Sequence, residues 1–388
     1  MREKRFGLLG MILSVLITLL LTLGAVVLAA WVFIGPAGLT LLEGLTLVNT
    51  RFVGEYEQTQ VVDAAMSGMV AGLGDRWSYY LTPEEYAATN ERRKNTYVGV
   101  GITISYEDPR GLLIIQVLPE SSAGKAGLQA GDLITHVAGS KITPDNQNEM
   151  VDLIRGEAGT EVELTYLRAG GGSVTTSLLR QEMETKPVEY SLLADKTGYV
   201  QIKNFYNRSA QDMKAAVEDL QKQGATRLVF DLRNNGGGYL SELTDMLDFL
   251  LPEGPIFRSQ SRNGAEVVTN SDAACVDLPM AVLVNQNTYS AAEFFAAELR
   301  EQGAGLIVGE QTSGKGYSQQ TFALPGGGGM GISTAAYYTG AGESLIGKGL
   351  TLDREISLSE ADAARFQAGT LPPAEDGQLQ AAVALLIR

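Results

Sequence analysis

A serine and a lysine stand 25 positions apart in this chain, Ser290 in NTYSAAEFF and Lys315 in GEQTSGKG, and together they could serve as a nucleophile and its base. The sequence holds one histidine, His136, far away in an apolar strand-like stretch. A serine nucleophile needs a group to take its hydroxyl proton, and with histidine scarcely available lysine is the candidate. At an unperturbed pKa of about 10.4 only about one lysine in 10³ is neutral near pH 7, so Lys315 needs an apolar pocket to lower that value. Gln319, four residues on, could hydrogen-bond the amine and orient it.

Each residue also has a plain reading. Ser290-Ala-Ala-Glu293 fits the S/T-x-x-D/E helix cap, on that motif alone the better account. Lys315 alone is a solvated surface charge, and Gln319 an exposed strand residue. Gly309-x-x-x-x-Gly314-Lys315 matches most of a phosphate loop. The match fails at Gly316, where a Ser or Thr would hold magnesium, and YSQQTFAL reads as strand instead of helix. The loop Asp231-Leu-Arg-Asn-Asn-Gly-Gly-Gly238 is a third element. Its glycines permit positive φ and close backbone approach, as an oxyanion-binding N–H requires, yet they suit any tight turn.

The surrounding pattern can position these groups. From about residue 186, strands (GYVQIKNF, RLVFDL, MAVLV, GLIVG) alternate with helices (SAQDMKAAVEDLQKQG, YLSELTDMLDFLL, SAAEFFAAELREQG), which implies an α/β core with parallel pairing. Ser209 and Asp212 read as a capping pair, with Gly224 closing that helix. Ser290 and Lys315 each follow a strand, so both fall at the carboxyl edge of a sheet, where open α/β sheets bind ligands. Residues 97–183 are a small β-rich module with one helix, read with Thr143 as N-cap and Pro144 at its first position. Residues 36–96 read as helical, LTPEEYAATNERR opening on Thr82 as N-cap.

The chain begins MREKRF and then carries no charge until Glu43; 29 uncharged residues run from Phe6 to Ile34 before Gly35-Pro36. That exceeds the about 7–15 apolar residues of a secretory signal and reaches the about 20 of a membrane span. A retained anchor is the expectation, with a cleaved signal after Val27-Leu28-Ala29 as the alternative. Arg2, Lys4 and Arg5 place the N-terminus in the cytoplasm and the rest outside it, a single-pass cell-membrane protein. The first five residues carry net +2, so the remainder carries −17 of the chain's −15. With no basic block, nucleic acid is excluded as a partner. His and Cys are nearly absent, so no metal or other cofactor is expected, and the single Cys275 reads as a small buried apolar residue.

Taken together these motifs resemble the C-terminal processing peptidases, or tail-specific proteases, PDZ-containing Ser–Lys endopeptidases. The resemblance runs from about Val61 to the end through GMVAGLGDRWSYYLTPEEY, YVGVGI, SSAGKAGLQAGDLI, FDLRNNGGG, VLVNQNTYSAAEFFAAEL, GEQTSGKGYSQQ and GKGLTLD. It implies Ser290 as nucleophile, Lys315 as general base, Gln319 as its orienting partner, and backbone N–H groups of Ala291 and Gly237 as the oxyanion hole. It implies a crotonase-like mixed or parallel sheet core at 184–355 and an inserted PDZ domain at 97–183. The flanks are an anchor at 1–35, a helical region at 36–96 and a helical element at 356–388. Free protein C-termini would add as a strand at Tyr97-Val98-Gly99-Val100-Gly101-Ile102, and Arg155 could couple that binding to the core. The helical ends resemble the family's homodimerisation elements and could equally pack on their own subunit. Gly236 departs from a frequent proline, and Tyr289 from a common alanine. An inactive, membrane-tethered PDZ scaffold is the competing function.

Overall fold

The computed structural model describes residues 7–168 and 170–387. Arg2, Lys4 and Arg5, on which the expected orientation rests, lie outside the described residues. The chain divides into two compact units, residues 1–65 and 66–388.

In the first unit a helix runs Leu8–Arg51, and its stretch Gly10–Leu28, mean hydropathy 2.7, is long and apolar enough to cross a membrane. Gly35 breaks the helix for one residue (φ 66°), and Pro36, whose fixed φ suits a first helical position, restarts it. The expected end of the apolar helix is therefore a kink.

The second unit is built on a six-stranded sheet ordered Val188–Leu192, Thr197–Ile202, Arg227–Asp231, Met280–Val284, Gly305–Gly309 and Arg354–Glu355. The first pairing is antiparallel and the other four are parallel. The near-continuous apolar strands RLVFD and MAVLV are what a sheet covered on both faces requires. Side-chain alternation divides them. Leu228, Phe230, Met280, Val282 and Val284 join the core beneath the helices Ser209–Lys222, Leu240–Leu250 and Ala291–Glu301. Val229, Ala281, Leu283 and Val308 face the other way, onto Leu379, Ala382 and Val383 of the helix Gly377–Leu386. The last helix thus packs onto its own sheet.

A second, five-stranded sheet carries the loops that frame the site. Gly329–Tyr338 pairs with Tyr79–Leu81, with Tyr317–Ala323 and with Gly254–Ser261, which pairs with Glu266–Ser271. The β-rich module is a separate six-stranded sheet with its own core, including Leu112, Ile114, Ile134 and Leu164. The antiparallel pair Thr96–Gly99 and Gln181–Glu184 ties its entry to its exit.

Three local expectations are corrected. The helix after Pro144 is Gln147–Ile154 with Asn146 before it; the Asn146 side chain accepts from Thr143 N–H at 2.7 Å, closing a turn that delays the helix. Ser209 is already helical, preceded by Arg208 at φ 73°, and its hydroxyl donates to Asn204 Oδ1 at 3.0 Å instead of capping. Cys275 is exposed, in the loop before Met280–Val284. Thr82, by contrast, caps the helix Pro83–Arg93 with a full capping box to Glu85.

Candidate active site

Ser290 stands between the strand Met280–Val284 and the buried helix Ala291–Glu301. Its loop is tied to the glycine loop of the neighbouring strand: Thr288 Oγ1 donates to the Leu232 carbonyl oxygen at 2.8 Å, and Tyr289 N–H to that of Asn235 at 3.2 Å. Ser290 itself has φ 60° and ψ −130°, a conformation that costs a non-glycine residue about 1–3 kcal/mol and persists only where surroundings impose it. In this geometry Glu293 N–H donates to the Ser290 carbonyl oxygen at 2.8 Å, and the Glu293 carboxylate accepts back from Ser290 N–H.

Glu293 explains what holds the loop. Its fully buried carboxylate accepts from Ser290 N–H (3.1 Å), Lys315 N–H (2.9 Å), Gly314 N–H (2.8 Å) and the Thr312 hydroxyl (2.6 Å). The sequence pattern showed this residue only as a cap; the apolar run around it, AAEFFAAEL, was the available sign that its carboxylate is buried. Burial pushes the Glu293 pKa up, and these four donors oppose that.

The Lys315 amine lies 4.9 Å from the Trp77 ring centroid and 5.6 Å from that of Tyr289, a cation–π arrangement. Burial pushes its pKa down to about 8, with Arg93 adding to the effect while Asp75 and Glu293 oppose it. After its loop the chain continues as the strand Tyr317–Ala323, not a helix, so the phosphate-loop reading has no helix N-terminus to use. Gln319 faces Ser333 across the sheet next to a β-bulge, and its amide donates to Ser333 Oγ and the Tyr317 carbonyl oxygen, both at 3.0 Å.

Gly237 lies against the serine. A Cβ built there would sit 2.8 Å from Ala291 N and 3.0 Å from Ser290 Cβ, and φ is +81°, so glycine alone keeps this space open. The expected oxyanion donor is, however, engaged: Gly237 N–H donates to Asn235 Oδ1 at 2.8 Å. The two departures from the family pattern also meet. A Cβ at Gly236 would come 2.5 Å from Tyr289 Oη, so the ring of Tyr289 fills the room that glycine leaves.

In the β-rich module, Tyr97, Val98 and Gly99 belong to the entry strand Thr96–Gly99. The turn proper is Val100–Gly101, and Ile102 opens the strand Ile102–Ser105. Gly101 has φ +87° and a Cβ there would collide with Ser121, which fixes it as glycine. Arg155 follows the helix Gln147–Ile154; its charge opposes the burial that raises the Tyr97 phenol. His136 sits in the strand Leu133–Val137 of this module, its Nδ1 3.0 Å from Thr135 Oγ1.

A family model for peptidase family S41 matches residues 196–356, and one for a PDZ domain matches residues 113–168. The carboxy-terminal-processing protease of Bartonella bacilliformis is 32% identical over 315 residues, covering 79% of this chain and 72% of that protein. The chain belongs to peptidase family S41. The carboxy-terminal processing protease CtpA of Bacillus subtilis is also 32% identical, over 305 residues, covering 78% of this chain; the chain spans 65% of that relative's length. Among solved structures, the photosystem II D1 C-terminal processing protease superposes with a TM-score of 0.50 at 27% identity, covering 89% of this chain and 93% of that one. The S41 match encloses the glycine loop, Ser290, Glu293, Lys315 and Gln319, and the PDZ match falls on the β-rich module.

Proposed function

We propose that this chain is a membrane-anchored serine endopeptidase that cleaves proteins recognised by their free C-termini. The observation that carries the reading is the Glu293 carboxylate, which binds the backbones of Ser290 and Lys315 together beside an amine whose pKa burial lowers to about 8. At pH 7 that value leaves about one amine in ten neutral, roughly two to three hundredfold more than an unperturbed lysine. Lys315 takes the Ser290 proton as the hydroxyl attacks the scissile carbonyl, then returns it to the leaving amine, and water hydrolyses the acyl-enzyme. The oxyanion falls to Ala291 N–H and to Gly237 N–H, which must first leave Asn235 Oδ1. That engagement supports a resting arrangement completed when substrate binds. A C-terminal peptide adds beside Ile102–Ser105, with its carboxylate at the Val100–Gly101 turn. The apolar helix holds the enzyme in the membrane with the catalytic unit outside the cytoplasm.

The test is cleavage of a labelled unfolded protein by the full chain in detergent. Ser290→Ala and Lys315→Ala are each expected to abolish turnover, and an activated peptidyl acylating reagent should form an adduct at Ser290 that is lost in Ser290→Ala. Turnover that survives both substitutions would remove the dyad. A wild type that binds free C-terminal peptides but never cleaves would leave the scaffold reading in its place.

A further inference from the structure

The Gln319 side chain ends a chain of hydrogen bonds that starts at a carboxylate 244 positions earlier, Asp75. Ser333 Oγ donates to Asp75 Oδ2 at 2.6 Å and accepts from Gln319 Nε2 at 3.0 Å. Asp75 is fixed in turn: Oδ1 accepts from Trp77 N–H at 3.0 Å, Oδ2 also accepts from Ser78 Oγ at 2.6 Å, and Ser78 Oγ accepts from Ser333 N–H at 3.2 Å. Burial alone would raise the Asp75 pKa, but the hydrogen bonds from Ser333, Ser78 and the backbone hold it below the ordinary carboxylate value, so it is ionised wherever the enzyme works.

An ionised carboxylate can only accept, and this sets the direction of every link. Ser333 must spend its one proton on Asp75. Its free lone pair then faces Gln319, which has to present its NH2 group. The second proton of that group goes to the Tyr317 carbonyl oxygen, another obligate acceptor. The carbonyl oxygen Oε1 is thereby left as the only end of the amide able to receive a hydrogen bond from an amine.

We infer that Asp75 and Ser333 are positioning residues for the base: they fix the Gln319 amide so that its oxygen is the group offered to the Lys315 amine. This rests on the Ser–Lys reading above and on the expected pairing of Gln319 with the Lys315 amine, and adds to them a carboxylate supplied by the segment that leads into the strand Tyr79–Leu81. The same segment covers the amine itself. Trp77 lies under Lys315 Nζ, and Arg76, stacked 4.2 Å from the Trp77 centroid, donates to the Ser313 carbonyl oxygen at 3.0 Å, two residues before Lys315. The charges that act on the amine are Asp75 and Glu293, which favour its protonated form, and Arg93, which opposes it; Arg93 is held at Tyr79 Oη at 3.0 Å.

The plain alternative is that Asp75 only shapes the turn before Tyr79–Leu81 through Trp77 N–H. Asp75→Asn keeps an acceptor for that N–H while removing the charge, and Ser333→Ala cuts the link while keeping the charge. The two substitutions therefore separate charge from position.

The experiment measures kcat/KM against pH for the full chain in detergent on a labelled unfolded protein. In parallel, competitive labelling with acetic anhydride, read by mass spectrometry, gives the titration of Lys315 without turnover. Ser333→Ala is expected to lower the high-pH plateau about tenfold with the midpoint unmoved, and Ser333→Thr, which keeps the hydroxyl, to recover most of it. Asp75→Asn is expected to lower the plateau similarly and to move the midpoint down by about one pH unit in both measurements, because the neighbouring negative charge is gone. An unchanged plateau in Asp75→Asn or in Ser333→Ala would overturn the inference while leaving the dyad intact. Turnover surviving Ser290→Ala would instead remove the dyad, and the relay's role with it.

Discussion

Ser290 and Lys315 donate their backbone N–H groups to one and the same oxygen, Oε2 of Glu293, at 3.1 and 2.9 Å. The two nitrogens are therefore within about 6 Å of each other although 25 residues separate them. Two loops from different strands are set in register by a single carboxylate before any side-chain chemistry begins. The fit of a reactive pair tolerates errors of well under an ångström, so a backbone clamp of this kind bears directly on rate.

Glu293→Gln tests that clamp. Glutamine keeps the volume but offers one acceptor oxygen and turns an NH2 group toward backbone N–H donors, leaving buried groups unpaired at about 1–3 kcal/mol each. We expect kcat/KM to fall about a hundredfold with KM little changed, together with a lower urea midpoint. A variant of full activity would show that the loops hold their register without the carboxylate.

The proposed role of Lys315 as base predicts a pH dependence. With Lys315 as the proposed base, activity should rise with pH through an apparent midpoint near about 8, where the amine becomes neutral. The sign for stability follows from proton counts: between about 8 and the unperturbed value near 10.5 the unfolded chain binds the proton that the folded chain has lost, so stability rises across that window. Below it the folded state carries a charge it disfavours. Lys315→Met should therefore abolish turnover yet stabilise the fold by about 1–2 kcal/mol at pH 7, allowing for solvent screening of a half-buried group. Thermal melts of wild type and variant at pH 7 and pH 10 check it: the difference should shrink at the higher pH.

What the sequence could and could not show follows from the physics of each feature. Alternation of apolar runs with amphipathic segments places RLVFD, MAVLV and GLIVG in a parallel sheet, because period and burial are local properties. Ser290, Lys315 and the glycine loop were legible as residue types at the ends of such strands. The Glu293 carboxylate, the cover of Trp77 over Lys315 and the Ser333 link to Gln319 were not, since each joins segments far apart in the chain and depends on register. Helix starts failed where a competing local bond won: Asn146 with Thr143, and Ser209 with Asn204. Cys275 was misplaced because composition says nothing of which loop stays at the surface.

The glycine loop is also anchored from behind. Arg233, 1% exposed at its side chain, pairs with Asp231 at 2.5 Å and Asp376 at 2.7 Å, donates to Gln378 Oε1 at 2.9 Å and lies 3.9 Å from the Phe366 ring. Asp376 further caps the helix Gly377–Leu386 by accepting from Gln378 N–H and Leu379 N–H. Asp376→Ala leaves a buried guanidinium short of a partner and an uncapped helix. The expected loss is about 3–5 kcal/mol, read as a fall in the denaturant midpoint, and proteolysis should release the C-terminal helix first. A change within about 0.5 kcal/mol would mean that water reaches Arg233 and replaces the carboxylate.

Gly236 and Tyr289 occupy one space between them, and their energetics should be coupled. A methyl group at 236 would stand 2.5 Å from Tyr289 Oη and 2.6 Å from its Cζ, closer than real contacts allow. Gly236→Ala must therefore displace the Tyr289 ring, which also lies 5.9 Å from Trp77 and carries the Lys315 amine against its face. We expect that substitution alone to lower kcat/KM about tenfold or more through the shifted ring. Tyr289→Ala alone opens the aromatic slot and lets water reach the amine, which should move the activity midpoint upward toward the ordinary lysine value. In the double variant the collision is gone, so Gly236→Ala should cost little further when added to Tyr289→Ala. A double-mutant cycle on kcat/KM and on the urea midpoint reads this directly: an interaction energy of about 1 kcal/mol or more is expected, and strict additivity would show that the two residues share no space in the working enzyme.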